Sequence, residues 1–171
     1  IAPGLCIAAD LRITAIEVLD EGSIDDDAQG SASIDVAKGD CGVSPNTTEE
    51  PFYDSLVRIT FVNHGKLPIY LRSLSYTLKN AYASGSAVRT KRLAFSGATI
   101  VPADGESHTA LGLFLDVQDS NKSYAGKSTA IPSDLGFRNV TFTVYASDAL
   151  GRKRQVKGRT ALSFDDFDRC G

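Results

Sequence analysis

Tryptophan and methionine are absent from this chain, and only two histidines and three cysteines occur in its 171 residues. Each scarcity excludes something. Cys6, Cys41 and Cys170 form no C-x-x-C or C-x-x-C-H pattern, so zinc ribbons, thioredoxin-type redox sites and c-type haem attachment have no ligand set. His64 falls in a turn and His108 opens a strand, and neither belongs to a metalloprotease motif. The nucleophile elbow, the phosphate-binding loop and the dinucleotide fingerprint are missing as well. No catalytic residue is nominated, no cofactor or metal is called for, and the chain is expected not to be an enzyme. No apolar run approaches the ~20 residues of a membrane-spanning helix. The net charge of −3, with no helix expected to enter a groove, argues against a nucleic-acid partner.

Helical periodicity is nearly absent too. What remains is a series of short alternating runs divided by Gly, Ser, Asn and Asp clusters, the pattern of an all-β antiparallel sandwich of about seven or eight strands. LRITAIEVL at 11–19 alternates imperfectly and predicts a bulge; SASIDVA at 31–37 is weaker. LVRITFVN at 56–63 sets Val57, Ile59 and Phe61 on one face, and PIYLRSLSYTL follows at 68–78. AVRTKRLAF at 87–95 reads as a basic edge strand, and SHTALGLFLDVQ at 107–118 sets Leu111, Leu113 and Leu115 on one face. VTFTVYA at 140–146 turns Val140, Phe142, Val144 and Ala146 inward, and QVKGRTALSF at 155–164 closes the series. A single domain over 1–171 is expected, with 1–50 an irregular N-terminal strand region. The start at Ile1 and the lack of Met suggest a processed or trimmed segment.

FVNHGKLPIYLRSLSYTL and VTFTVYASDALGRKRQVKGRTALSF resemble the strand–turn–strand units of immunoglobulin-like modules, of the fibronectin or CARDB type, in secreted bacterial proteins. The buried Trp and cross-sheet disulfide of antibody domains have no counterpart, so no functional residue is carried over. An Ig-like order implies that the 63–67 turn lies beside 148–154, gathering His64, Lys66, Arg152, Lys153 and Arg154 into one basic rim. Such a rim suits an anionic glycan, a lipid head group or an acidic protein. The same order implies a Cys41–Cys170 bridge, with Cys6 as the rival partner, and hence an oxidising, extracytoplasmic compartment.

The chain is therefore expected to be a non-enzymatic module with a structural or binding role at the cell surface. Its partners would be other surface or secreted proteins, or copies of itself. One alternative is a subunit of an extracellular filament or surface complex that self-assembles or exchanges strands, with 11–19 as donor. Another is a carbohydrate-binding module using the loop tyrosines Tyr53, Tyr82 and Tyr124. Two acidic clusters, Asp25–Asp27 and Asp165, Asp166 and Asp168, lack the spacing of a calcium loop.

Overall fold

The computed structural model describes residues 10–19, 33–35, 37–38, 40–43, 45–49, 53–78, 88–89, 94–97, 99–115, 123–124 and 136–165. Expectations for Cys6, Asp25–Asp27, Tyr82, Asp166, Asp168 and Cys170 lie outside the described residues. All regular structure described is β. The strands are β1 (Leu11–Leu19), β2 (Ser33–Asp35), β3 (Ala37–Lys38), β4 (Asp40–Cys41), β5 (Thr48–Glu49), β6 (Ser55–Asn63) and β7 (Ile69–Leu78). They continue with β8 (Val88–Arg89), β9 (Phe95–Ser96), β10 (Ile100–Val101), β11 (Ser107–Leu115), β12 (Ser123–Tyr124), β13 (Gly136–Asp148) and β14 (Lys153–Asp165).

Two sheets form the sandwich, one in the order β1-β6-β11-β9 and the other β10-β7-β13-β14-β2, with β8 beside β7. Neighbours in them run antiparallel except β2, which lies parallel to β14. The fold is an all-β, Ig-like sandwich carried by six long strands. As the alternation predicts, Val57, Ile59 and Phe61 of β6 and Val140, Phe142 and Val144 of β13 are fully buried. The bulge expected in β1 appears as a register shift between Ile13 and Ala15.

Aromatic packing holds the sheets together. Phe114, from β11, meets three rings of the opposite sheet: Tyr76 at 4.8 Å, Phe142 at 5.2 Å and Phe164 at 6.4 Å between centroids. All four residues are at most 2% exposed. The first two contacts are edge-to-face, a geometry that adds roughly 0.5–1.5 kcal/mol each beyond the burial of apolar area.

Three expectations are corrected. In β11 the buried face is Ala110, Gly112 and Phe114, while Leu111 and Leu113 are half-buried on the other. Gly112 is an inward position because Leu74 fills the space a Cβ would need, and a register shift after Leu113 returns Leu115 to the core. Of the edge strand predicted over 87–95, the described residues show β8 on β7 and β9 on β11, two short strands in different sheets. Tyr124, expected in a loop, lies in β12, paired with Lys38 of β3.

Candidate binding site at the hairpin end

The basic tip is the hairpin loop that joins β13 to β14. Ser147 of β13 and Lys153 of β14 are the last paired residues, and the Gly151 amide donates to the Asp148 carbonyl at 2.9 Å. Gly151 takes a left-handed φ of 76°, which glycine adopts without a steric penalty and which completes a turn matched to the strand twist. Asp148 organises the tip from inside. Its carboxylate, 1% exposed, accepts the amides of Leu150 and Arg152 at 2.9 Å each and the Arg152 Nε at 2.6 Å. Burial alone would raise its pKa, but the Arg152 amide and guanidinium and the Leu150 amide more than offset that, so its pKa is lowered. Arg154 reaches the same carboxylate at 3.3 Å and Asp10 at 3.4 Å.

The turn between β6 and β7 lies beside this tip. Asn63, fully buried, donates to the carbonyls of Leu67 at 2.9 Å and Val101 at 3.2 Å and accepts the Gly65 amide at 2.9 Å. His64 donates its amide to the Asp10 carbonyl at 2.7 Å. A Cβ on Gly65 would stand 2.9 Å from that of Asp10, so only glycine fits this approach.

Two grooves result. The first, of about 530 Å³, is lined by Asp10, His64, Lys66, Leu67, Asp148 and Arg152 among others. The second, of about 610 Å³, crosses the outer face of β7, β13 and β14. Arg72, Ser73, Tyr145, Ser147, Lys153 and Gln155 line it, with Arg154 at its side.

The five residues expected in one rim are thus divided. His64, Lys66 and Arg152 face the first groove, whose lining includes two carboxylates, while Lys153 and Arg154 face the second, with no acid among its described lining residues. Arg152 and Arg154 pair with Asp148, a partner the sequence reading did not assign.

That reading also missed Arg72. The pairing of β7 with β13 passes from Ser73↔Tyr145 to Leu71↔Ala146, leaving Arg72 as an extra residue in a bulge that turns it onto the outer face. Its Nε donates to Ser147 Oγ at 2.9 Å and its guanidinium lies 5.6 Å from the Tyr70 ring centre. The signal was the three-residue step from Leu71 to Leu74 in an otherwise alternating run.

His108 pairs locally with Asp104 at 2.8 Å. The Glu106 amide and then the His108 ring hold Asp104 below the ordinary carboxylate range. Cys41 is half-buried at the end of β4, whereas both its expected partners, Cys170 and Cys6, lie outside the described residues. Among the described residues no group of His, Cys, Asp and Glu is placed to hold a metal ion, and no helix is long and apolar enough to cross a membrane.

No protein-family model matches the chain, and no curated protein matches it. Among solved structures it is similar to a structural-genomics target, SoR45, with 11% identity over 91% of this chain and 87% of that one, at a TM-score of 0.45. It is also similar to the ASH/PapD-like domain 7 of human CEP192, with 17% identity over 91% of this chain and 87% of that one, at a TM-score of 0.35. Neither match bears on ligand or partner.

Proposed function

We propose that the chain is a non-enzymatic, extracytoplasmic Ig-like module, of the fibronectin or CARDB type, that binds an anionic component of a cell surface through its hairpin end. The observation that carries this reading is the charge gathered there. Lys66, Arg72, Arg152, Lys153 and Arg154 line two neighbouring grooves against the carboxylates of Asp10 and Asp148, in a chain whose net charge is −3. A local excess of one sign on a weakly charged chain raises the local concentration of oppositely charged partners. The binding test is retention on heparin, on phosphatidylglycerol vesicles and on polyglutamate at low and high salt. Lys153→Glu with Arg72→Glu is expected to abolish retention, and unchanged retention by that variant would overturn the reading.

The compartment is part of the same proposal. A bridge at Cys41, half-buried at the end of β4, would go with an oxidising environment. Cys170 is the proposed partner and Cys6 the rival. Non-reducing peptide mapping decides: a Cys41–Cys170 peptide is expected, a Cys6-linked one would replace the pairing, and free thiols would remove the compartment argument.

A second reading, assembly through a sheet edge with copies of this chain or another surface protein, is favoured by β1. Among the described residues this nine-residue strand is paired only on its β6 side, and an unpaired edge is a template for strand addition. A single monomeric species by light scattering at high concentration would count against it.

A further inference from the structure

The groove across β7, β13 and β14 has two unlike ends, and the register separates them. At one end Ser147 is paired with Lys153, and Arg72 is held over the same rung by its bond to Ser147 Oγ at 2.9 Å. That bond and the Tyr70 ring occupy Nε and one face of the guanidinium. Its two terminal nitrogens, and the Lys153 ammonium, have no partner among the described residues. A guanidinium fixed in this way presents a planar fork that matches a carboxylate or sulfate, and the neighbouring ammonium adds a second charge. Along the strands, one outward rung further and about 7 Å away, Tyr145 lies between Ser73 and Gln155. This rung carries hydroxyls, an amide and an aromatic ring but no charge. The Tyr145 hydroxyl stands 3.4 Å from Ser75 Oγ.

A charged end joined to a neutral, hydroxyl- and amide-lined end suits a ligand with one anionic group on a polyhydroxylated ring. We infer that this groove binds an acidic polysaccharide. Arg72 and Lys153 take the carboxylate or sulfate of one sugar residue, while Ser73, Tyr145 and Gln155 meet its ring and hydroxyls. A free inorganic anion would use only the first end. An acidic peptide could not extend the sheet here, because β13 is already paired with both β7 and β14 along the groove. This inference rests on the anionic-partner reading above and names its chemistry.

The test is calorimetric titration of the full chain with a heparin tetrasaccharide, a galacturonic acid trimer, neutral maltotetraose, sodium sulfate and phosphatidylglycerol vesicles. Both acidic oligosaccharides are expected to bind and maltotetraose not to. Arg72→Ala and Lys153→Ala should each weaken binding at least tenfold, and Arg72→Lys nearly as much, because the fork is lost while the charge remains. Gln155→Ala should weaken the oligosaccharides several-fold and leave any sulfate binding unchanged. Arg12→Ala, an exposed cation on β1 of the opposite sheet, should change affinity less than twofold. Failure of both acidic oligosaccharides, or an Arg12→Ala loss equal to that of Arg72→Ala, would overturn the inference. If vesicles bind and oligosaccharides do not, the polysaccharide is refuted while the anionic-surface reading stands. If no anionic probe binds, both fall.

Discussion

Replacing Phe114 with alanine removes the one ring of β11 that reaches across the sandwich. Phe114 is fully buried and contacts the rings of Tyr76, Phe142 and Phe164, so the opposite sheet cannot close the space without moving three large side chains. Loss of transfer energy together with the residual cavity costs about 3–5 kcal/mol for a Phe→Ala change in a core. Total stabilities of single domains are about 5–15 kcal/mol, so the variant should lose a large share of its folded population. Phe114→Leu keeps most of the apolar volume and forfeits the ring geometry, which sets its cost nearer 1–2 kcal/mol. Leu113→Ala is the control. Leu113 is half-buried on the other face of the same strand, and its truncation should cost about 1 kcal/mol, since only part of its transfer energy is gained on folding. With no Trp in the chain, urea unfolding is best followed by far-ultraviolet circular dichroism, with the slope checked for constancy across variants. A Leu113→Ala loss equal to or larger than that of Phe114→Ala would refute the face assigned to β11 and the packing built on it.

Two further outcomes follow from the hairpin end. Hydrogen bonds to the ionised form lower the Asp148 pKa in the folded chain, so its stabilisation is present above the ordinary aspartate range and is lost as pH falls through the lower folded value. Asp148→Asn should therefore flatten the fall of the urea midpoint between about pH 5 and pH 2.5, and an unchanged acid limb would contradict this. Asn63→Ala strips the Leu67 and Val101 carbonyls and the Gly65 amide of a buried partner. Three bonds at about 1 kcal/mol each put its cost near 3 kcal/mol, with faster hydrogen exchange at the Gly65 amide, and a loss below about 1 kcal/mol would contradict it.

The legible parts of this molecule are those where one side-chain period runs unbroken. Val57, Ile59 and Phe61, and Val140, Phe142 and Val144, are separated by single polar residues, and each set is buried. The last hairpin was legible for the same reason, with Gly151 between two alternating runs. β11 was not, because apolar residues occupy both of its faces and a glycine takes an inward slot that Leu74 fills from across the sandwich. That complementarity belongs to two strands at once and has no trace in either alone. Arg72 is an intermediate case: its bulge leaves a three-residue step between leucines, yet its pairing with Ser147 depends on a strand 75 residues away. The pairing of Arg152 and Arg154 with Asp148 was hidden because a turn aspartate reads as a solvated residue, whereas here it is the buried centre of the tip.

The central claim, that anionic ligands are taken on the outer face of β7, β13 and β14, is tested most directly by titrating the isotopically labelled chain with a heparin tetrasaccharide and following its amide resonances. Saturable shifts are expected at Arg72, Ser73, Tyr145, Ser147, Lys153 and Gln155, with His64, Gly65 and Lys66 moving far less. Shifts centred instead on the turn between β6 and β7, or none at saturating ligand, would contradict it.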